Sequence, residues 1–258
     1  MTLSITSAFH NMPYRQRLVR LFTTIMGTAS LTALATVSLL AQSTRAATAL
    51  GDLPLIEVPA TQPGAGTIAV FLSGDGGWAS LDKQIAQVLA EHGIGVIGLN
   101  SRAYLSSRKS PEQAANDVAR IARAYLTQWS ARRLLLIGYS RGAVMVPFVA
   151  TRLPADLKRQ IALVAMLGLE QNMNFQFHWT DIVRNTKRPD DFPVAPELLR
   201  LRGTPMVCVY GTEEQDSPCR GADPTLMKQI VRQGDHHFDG NYRALAELLI
   251  AAVPPPAP

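Results

Sequence analysis

Leu134-Leu135-Leu136-Ile137 runs directly into Gly138-Tyr139-Ser140-Arg141-Gly142, and an apolar segment, Ala143 to Leu153, follows at once. Four consecutive aliphatic residues bounded by glycine read as a short strand buried on both faces. A serine three residues beyond such a strand, with glycine at 138 and 142, has the layout of a nucleophile elbow. In that turn a strained strand-to-helix connection lifts the hydroxyl clear of the sheet. A side chain at either glycine would crowd the turn against its neighbours. What the chain can do with Ser140 then depends on the partners it supplies.

A serine nucleophile needs a base within hydrogen-bond reach and an acid to orient that base. Downstream, the strand pattern Pro205–Tyr210 ends in Gly211-Thr212-Glu213-Glu214-Gln215-Asp216, and the pattern Gln229–Arg232 is followed by Gly234-Asp235-His236-His237-Phe238. Nucleophile, acid and histidine fall in the order that a strand-to-helix elbow uses. His236 is the preferred base because it directly follows a glycine-containing turn, with His237 as the alternative. Asp216 is the preferred acid, with Glu214 as the alternative. His178 lies in an irregular segment and suits a pocket wall or the surface better than chemistry.

The surrounding pattern predicts the frame. Leu55–Val58 reads as an edge strand, Thr67–Leu72 and Gly95–Leu99 as buried strands, and Ile161–Leu167 as another. Helices are expected over about 80–92, 110–129, 143–153 and 242–252, the second announced by Ser110-Pro111-Glu112-Gln113. There serine caps, proline fills the first position and Gln113 completes a capping box. Residues 169–203 carry three prolines and read as irregular. Strands alternating with helices imply an α/β fold with a mostly parallel sheet and helices on both faces. Ligands bind such sheets at the carboxyl ends of the strands, where Ser73–Trp78, Tyr139–Gly142, 211–219 and 234–239 all fall.

A tetrahedral intermediate needs two backbone N–H donors. Arg141, immediately after the nucleophile, is one candidate and Asp75, in the loop after Thr67–Leu72, is the other. Gly74, Gly76 and Gly77 would let that loop approach a substrate closely, with Trp78 and Tyr139 as further substrate contacts. A phosphate-cradling reading of the glycines lacks the Gly-Lys-Ser/Thr that should follow. The chemistry requires neither metal nor cofactor.

A formal charge of +5 over 258 residues suggests a polyanion partner until the N-terminus is considered. Arg15, Arg17 and Arg20 precede an uncharged stretch, 21–41, and small residues follow at Ala46-Ala47-Thr48. This is the pattern of a secretory signal. Removing residues 1–46 removes four arginines and no acid, which leaves 21 basic against 20 acidic residues and no case for nucleic acid. Residues 47–258 are then expected to form a single domain in the periplasm, with retention of the apolar stretch as a membrane anchor as the alternative. Cys208 and Cys219, an even pair in an exported chain, suggest a disulfide.

The segments Leu72-Ser73-Gly74-Asp75-Gly76-Gly77-Trp78, Gly138-Tyr139-Ser140 with Gly142-Ala143 and Pro147-Phe148, Tyr210-Gly211 with Asp216-Ser217 and Cys219, and His236-His237-Phe238-Asp239-Gly240 together resemble the VirJ/AcvB family of exported α/β-hydrolase proteins. The resemblance covers about residues 52 to 252. It implies the α/β-hydrolase fold and hydrolysis of lysyl-phosphatidylglycerol, an aminoacylated phospholipid, at the membrane surface, with Ser140 as nucleophile, Asp216 as acid and His236 as base. Asp75 or an acid near Glu213 would then suit the lysyl ammonium. The chain departs from the family pattern at Arg141, where phenylalanine is usual, and at Val144, where aspartate is usual. Its segment 101–106 is also less aromatic. These departures surround the pocket, so an esterase for another small ester or peptide, or the fold without turnover, are the alternative readings.

Overall fold

In the computed structural model the described residues are 50–256, without 63, 65, 179–187 and 190. The expected signal segment 1–46 lies outside them. The central element is a seven-stranded sheet. In chain order its strands are β1 (Leu55–Val58), β2 (Thr67–Leu72), β3 (Gly95–Leu99), β4 (Arg133–Tyr139), β5 (Ile161–Leu167), β8 (Met206–Gly211) and β9 (Lys228–Arg232). In space they run β1-β3-β2-β4-β5-β8-β9. Only β1 is antiparallel, pairing Leu55 with Leu99 at the sheet edge; every other pairing is parallel. The strand that ends in the elbow, β4, is therefore central.

Period-two alternation divides the core into two layers. Ile68, Val70 and Leu72 of β2 and Leu134 and Leu136 of β4 face one layer, covered by α3 (Pro111–Gln128) and α4 (Arg141–Arg152). Ala69 and Phe71, with Leu135 and Ile137, face the other, covered by α1 (Ser80–Glu91) and α7 (Tyr242–Ala252). Because β2 and β4 are buried on both faces, they read in the sequence as continuous apolar runs. The start of α3 is the expected capping box: Ser110 Oγ accepts the Gln113 N–H at 3.1 Å and Gln113 Oε1 accepts the Ser110 N–H at 2.8 Å.

Between β5 and β8 the described residues are less irregular than the prolines suggested. They form a two-stranded ribbon, β6 (Asn172–Met173) with β7 (Phe192–Pro193), and the short helix α6 (Ala195–Arg200). A four-residue helix, α2 (Ser101–Tyr104), directly follows β3, and another, α5 (Ala155–Lys158), precedes β5. Phe175 of the ribbon packs edge-on against Phe148 of α4 at 5.5 Å, which ties this segment to the layer behind the elbow. Cys208 and Cys219 form a disulfide, both fully buried. Among the described residues no helix is long and apolar enough to cross a membrane.

Candidate active site

Ser140 connects β4 to α4 with φ 54° and ψ −120°. An L-residue rarely adopts a positive φ, and such strain persists only where the surroundings enforce it. Here the enforcing contacts are the flanking glycines. A Cβ at Gly138 would overlap the Gly142 carbonyl, and one at Gly142 would overlap the Leu72 carbonyl at the end of β2. The Ser140 N–H donates to Leu167 O at 2.8 Å. The elbow is thus held between the carboxyl ends of β2 and β5.

The acid and base loops are joined to each other by several bonds. The Thr212 N–H donates to Arg232 O at 2.8 Å, the Glu213 N–H to Gly234 O at 3.0 Å, and the Gly234 N–H to Thr212 Oγ1 at 3.1 Å. His236 Nδ1 donates to Glu214 Oε1 at 2.6 Å. The second carboxylate oxygen, Oε2, accepts the Gly211 N–H at 2.7 Å. One oxygen of Glu214 is therefore fixed by the strand end, which leaves the other aimed at the ring. With Nδ1 donating, Nε2 is the basic nitrogen. The ring lies against Gly168, the residue after Leu167, where a Cβ would stand 2.7 Å from Nδ1. The serine backbone and the imidazole are thus held by consecutive residues at the end of β5.

Of the two acids the sequence offered, the structure places Glu214, the alternative, against His236, and not the preferred Asp216. Asp216 is exposed, two residues further along the loop, and its backbone carbonyl accepts from Gln171 Nε2 at 3.4 Å. Glu214 reaches His236 because a turn returns the chain over β8, its own N–H bonded to Gly211 O at 3.1 Å. Of the two histidines, His236 is 30% exposed and His237 67%, and His237 turns to Asp235 at 3.4 Å. His178 is half-buried. Burial disfavours the imidazolium of His236. The Glu214 hydrogen bond and the charges of Glu214, Glu170 and Asp235 outweigh it and hold the group above its ordinary value.

The glycine loop lies beside the elbow. A Cβ at Gly74 would come within 3.1 Å of Ser140 Cβ and 3.2 Å of Tyr139 Cδ1. The base of the loop is tied down by Ser73, which is fully buried: its N–H donates to Leu99 O and its Oγ accepts the Ser101 N–H at 3.0 Å. The Gly77 N–H donates to Gly74 O at 3.0 Å. Asp75 does not stand open to a ligand. Arg141 Nε lies 3.1 Å from its Oδ1 and Nη2 3.0 Å from its Oδ2.

Two residues expected as substrate contacts, Trp78 and Tyr139, also make packing contacts within the protein. Trp78 packs edge-on against Phe71 at 5.6 Å and over Gly98, where a Cβ would stand 2.6 Å from Cη2. Its ring thus joins the layer of α1 and α7. Tyr139 stacks at 5.3 Å on His236 and donates its hydroxyl to the His236 carbonyl at 3.3 Å, so it braces the base loop. Gly168 escaped the sequence reading, which placed Ser73 in the loop without its anchoring role. The usable signal was a glycine, and a serine, placed immediately after the buried end of a strand.

A cleft of about 660 Å³ opens beside His236. Glu170, Asp191, Glu213, Glu214 and Asp216 contribute to its wall, and among the described residues neither lysine nor arginine lines it. Asp191 accepts from Asn174 Nδ2 and from the Arg188 N–H, both at 2.8 Å.

The family model described as bacterial virulence protein (VirJ) matches residues 66–255. The α/β serine hydrolase homologue from Coxiella burnetii is similar in fold, with a TM-score of 0.52 and 16% identity over 76% of this chain and 89% of that one. So is the thioesterase domain from the curacin biosynthetic pathway, with a TM-score of 0.53 and 14% identity over 76% and 94%. A Mycobacterium phage D29 protein named "Putative non-heme haloperoxidase" is 30% identical over 114 residues, 44% of this chain. The match spans 41% of that protein's length.

Proposed function

The chain belongs to the VirJ family and has the α/β-hydrolase fold, and on that footing we propose that it is a serine esterase whose triad is Ser140, His236 and Glu214. The observation that carries the reading is the 2.6 Å bond from His236 Nδ1 to Glu214 Oε1, with the ring lying against the strand end that holds the strained Ser140. Ser140 Oγ attacks the ester carbonyl carbon and its proton passes to His236 Nε2. The oxyanion accepts from the backbone N–H groups of Asp75 and Arg141. Collapse expels the alcohol oxygen, which takes the proton from His236. Water, deprotonated by the same nitrogen, then releases the acid and restores Ser140.

The substrate in this reading is an aminoacyl ester of a phospholipid, lysyl-phosphatidylglycerol, met at the membrane surface outside the cytoplasm. Two features support it. Carboxylates line the cleft beside the base, which favours an acyl group carrying an ammonium. The Cys208–Cys219 disulfide suits an oxidising compartment. The ammonium then belongs on the Glu213 and Asp216 side, because Asp75 is occupied by Arg141. Purified protein is expected to release lysine from the lipid in vesicles, and Ser140→Ala to abolish release while remaining folded. Full activity in that variant would sink the mechanism. An esterase for a neutral small ester is the second reading, favoured by the same neutralisation of Asp75. A higher kcat/KM for a short aryl ester than for the lysyl lipid would select it.

A further inference from the structure

Arg141 and Asp75 are the two residues whose backbone N–H groups the proposed mechanism uses, and their side chains are bound to each other. The guanidinium meets the carboxylate through two nitrogens, Nε at 3.1 Å and Nη2 at 3.0 Å, and Nη1 reaches the Asn174 carbonyl at 3.5 Å. Their side chains are 11% and 25% exposed, so the pair is shielded enough from water to matter. A planar guanidinium held bidentately fixes direction as well as distance.

The loop needs such a constraint. Its base is fixed through Ser73, whereas its tip is Asp75-Gly76, flanked by Gly74 and Gly77. Gly76 is exposed, and a Cβ there would meet nothing within 4 Å. The Gly77 N–H to Gly74 O bond closes the turn, but the flanking glycines still leave the Asp75 peptide a choice of orientations, and an oxyanion donor helps only when it is already in place. Arg141 reaches this tip from the rigid first turn of α4.

We propose that Arg141 is a positioning residue, a clasp that holds the Asp75 N–H in register with its own N–H above Ser140. The role rests on the serine-esterase reading. It also removes Asp75 from substrate recognition, because the carboxylate is committed to the clasp.

The test compares Arg141→Met, Arg141→Lys, Asp75→Asn and the Met/Asn double variant on 4-nitrophenyl acetate, with active sites titrated by a fluorophosphonate. Loss of one oxyanion donor costs on the order of 10²–10³-fold in kcat, and a donor that is present but unfixed should cost less. The expected result is a fall of about 10- to 100-fold in kcat per titrated site for Arg141→Met and Asp75→Asn, with KM within about twofold. Arg141→Lys should recover part of the loss, and the double variant should be no worse than the worse single, since both break one link. A merely structural role would lower the titratable fraction or Tm and leave kcat per site unchanged. That outcome, or additive losses, would overturn the clasp. If Arg141→Met does not fold, the near-isosteric Asp75→Asn decides alone. Wild-type protein that neither labels at Ser140 nor turns over any ester would overturn the esterase reading and the clasp with it.

Discussion

The imidazole of His236 rests on Gly168, so close that a Cβ at Gly168 would stand 2.7 Å from Nδ1. Gly168 also has φ +65°, a conformation that a side chain strains. It follows Leu167, whose carbonyl holds the Ser140 N–H. Gly168→Ala should therefore displace the ring rather than fill space. Esterase kcat should fall at least about 10²-fold, since an error near 1 Å at a catalytic group has that effect. Stability should fall by about 1 kcal/mol from the backbone strain. Steady-state kinetics alongside urea unfolding would separate the two effects; unchanged kcat would mean that Gly168 does not set the ring position.

Glu214 and Asp216 make opposite predictions. Glu214→Gln removes the acceptor charge at Nδ1 and lets the ring adopt the wrong tautomer, which should lower kcat by about 10³- to 10⁴-fold, by analogy with other triads. Asp216→Asn should leave turnover of a neutral ester within about twofold. The pH profile provides a second check. His236 must be neutral to accept the serine proton, and its surroundings hold it above the ordinary imidazole value. Activity should therefore rise with pH through an inflection above about 6.5, and Glu214→Gln should move what activity remains to an inflection at lower pH.

Residue by residue, the sequence and the structure agree where backbone geometry carries the signal. The continuous apolar runs of β2 and β4 are legible because both faces are buried, and Ser110–Gln113 is legible because a capping box is local. Ser140 is legible because Gly138 and Gly142 are required by contacts four residues apart or with the adjacent strand. Asp216 was preferred over Glu214 because nothing in a one-dimensional reading reports that the loop folds back to bond Glu214 to Gly211. Trp78 and Tyr139 stand beside the glycine loop and the nucleophile in the sequence, which says nothing of how their rings pack. The face of the sheet on which each ring lands is a tertiary outcome. Arg141 is the clearest case: its partner, Asp75, is 66 residues away.

Asp82, in the first turn of α1, is 1% exposed. Its Oδ2 accepts the Ala79 N–H at 2.9 Å, while among the described residues Oδ1 has no partner. Burial raises its carboxyl from 3.8 to about 6, opposed by the Ala79 bond. The folded protein thus holds this proton more tightly than the unfolded chain does. The stability this confers is complete below about pH 3.8 and is lost as pH rises through about 6, an effect of the order of 1–3 kcal/mol. Asp82→Asn keeps an acceptor for Ala79 and carries no charge. It should be more stable than the parent by that amount at pH 7 to 8, with the gap closing near pH 4. Urea unfolding at both pH values checks this, and equal stability at pH 8 would show that Asp82 ionises without cost.

The disulfide closes the loop that carries Glu214, yet the acid is anchored on the other side of that loop. Gly211, at the end of β8, binds Glu214 Oε2, and Glu213 donates to Gly234 in the histidine loop. Both anchors precede Cys219 and neither passes through it. Replacing both cysteines by alanine should therefore lower stability without dismantling the triad. Loop-closure entropy over the 11-residue separation suggests a loss of about 2–3 kcal/mol, or a Tm lower by roughly 5–10 °C for a body of this size. At 25 °C kcat per titrated site should stay within about twofold. A folded double variant with normal Tm and lost activity would reverse this order and make Cys219 the anchor of the acid loop.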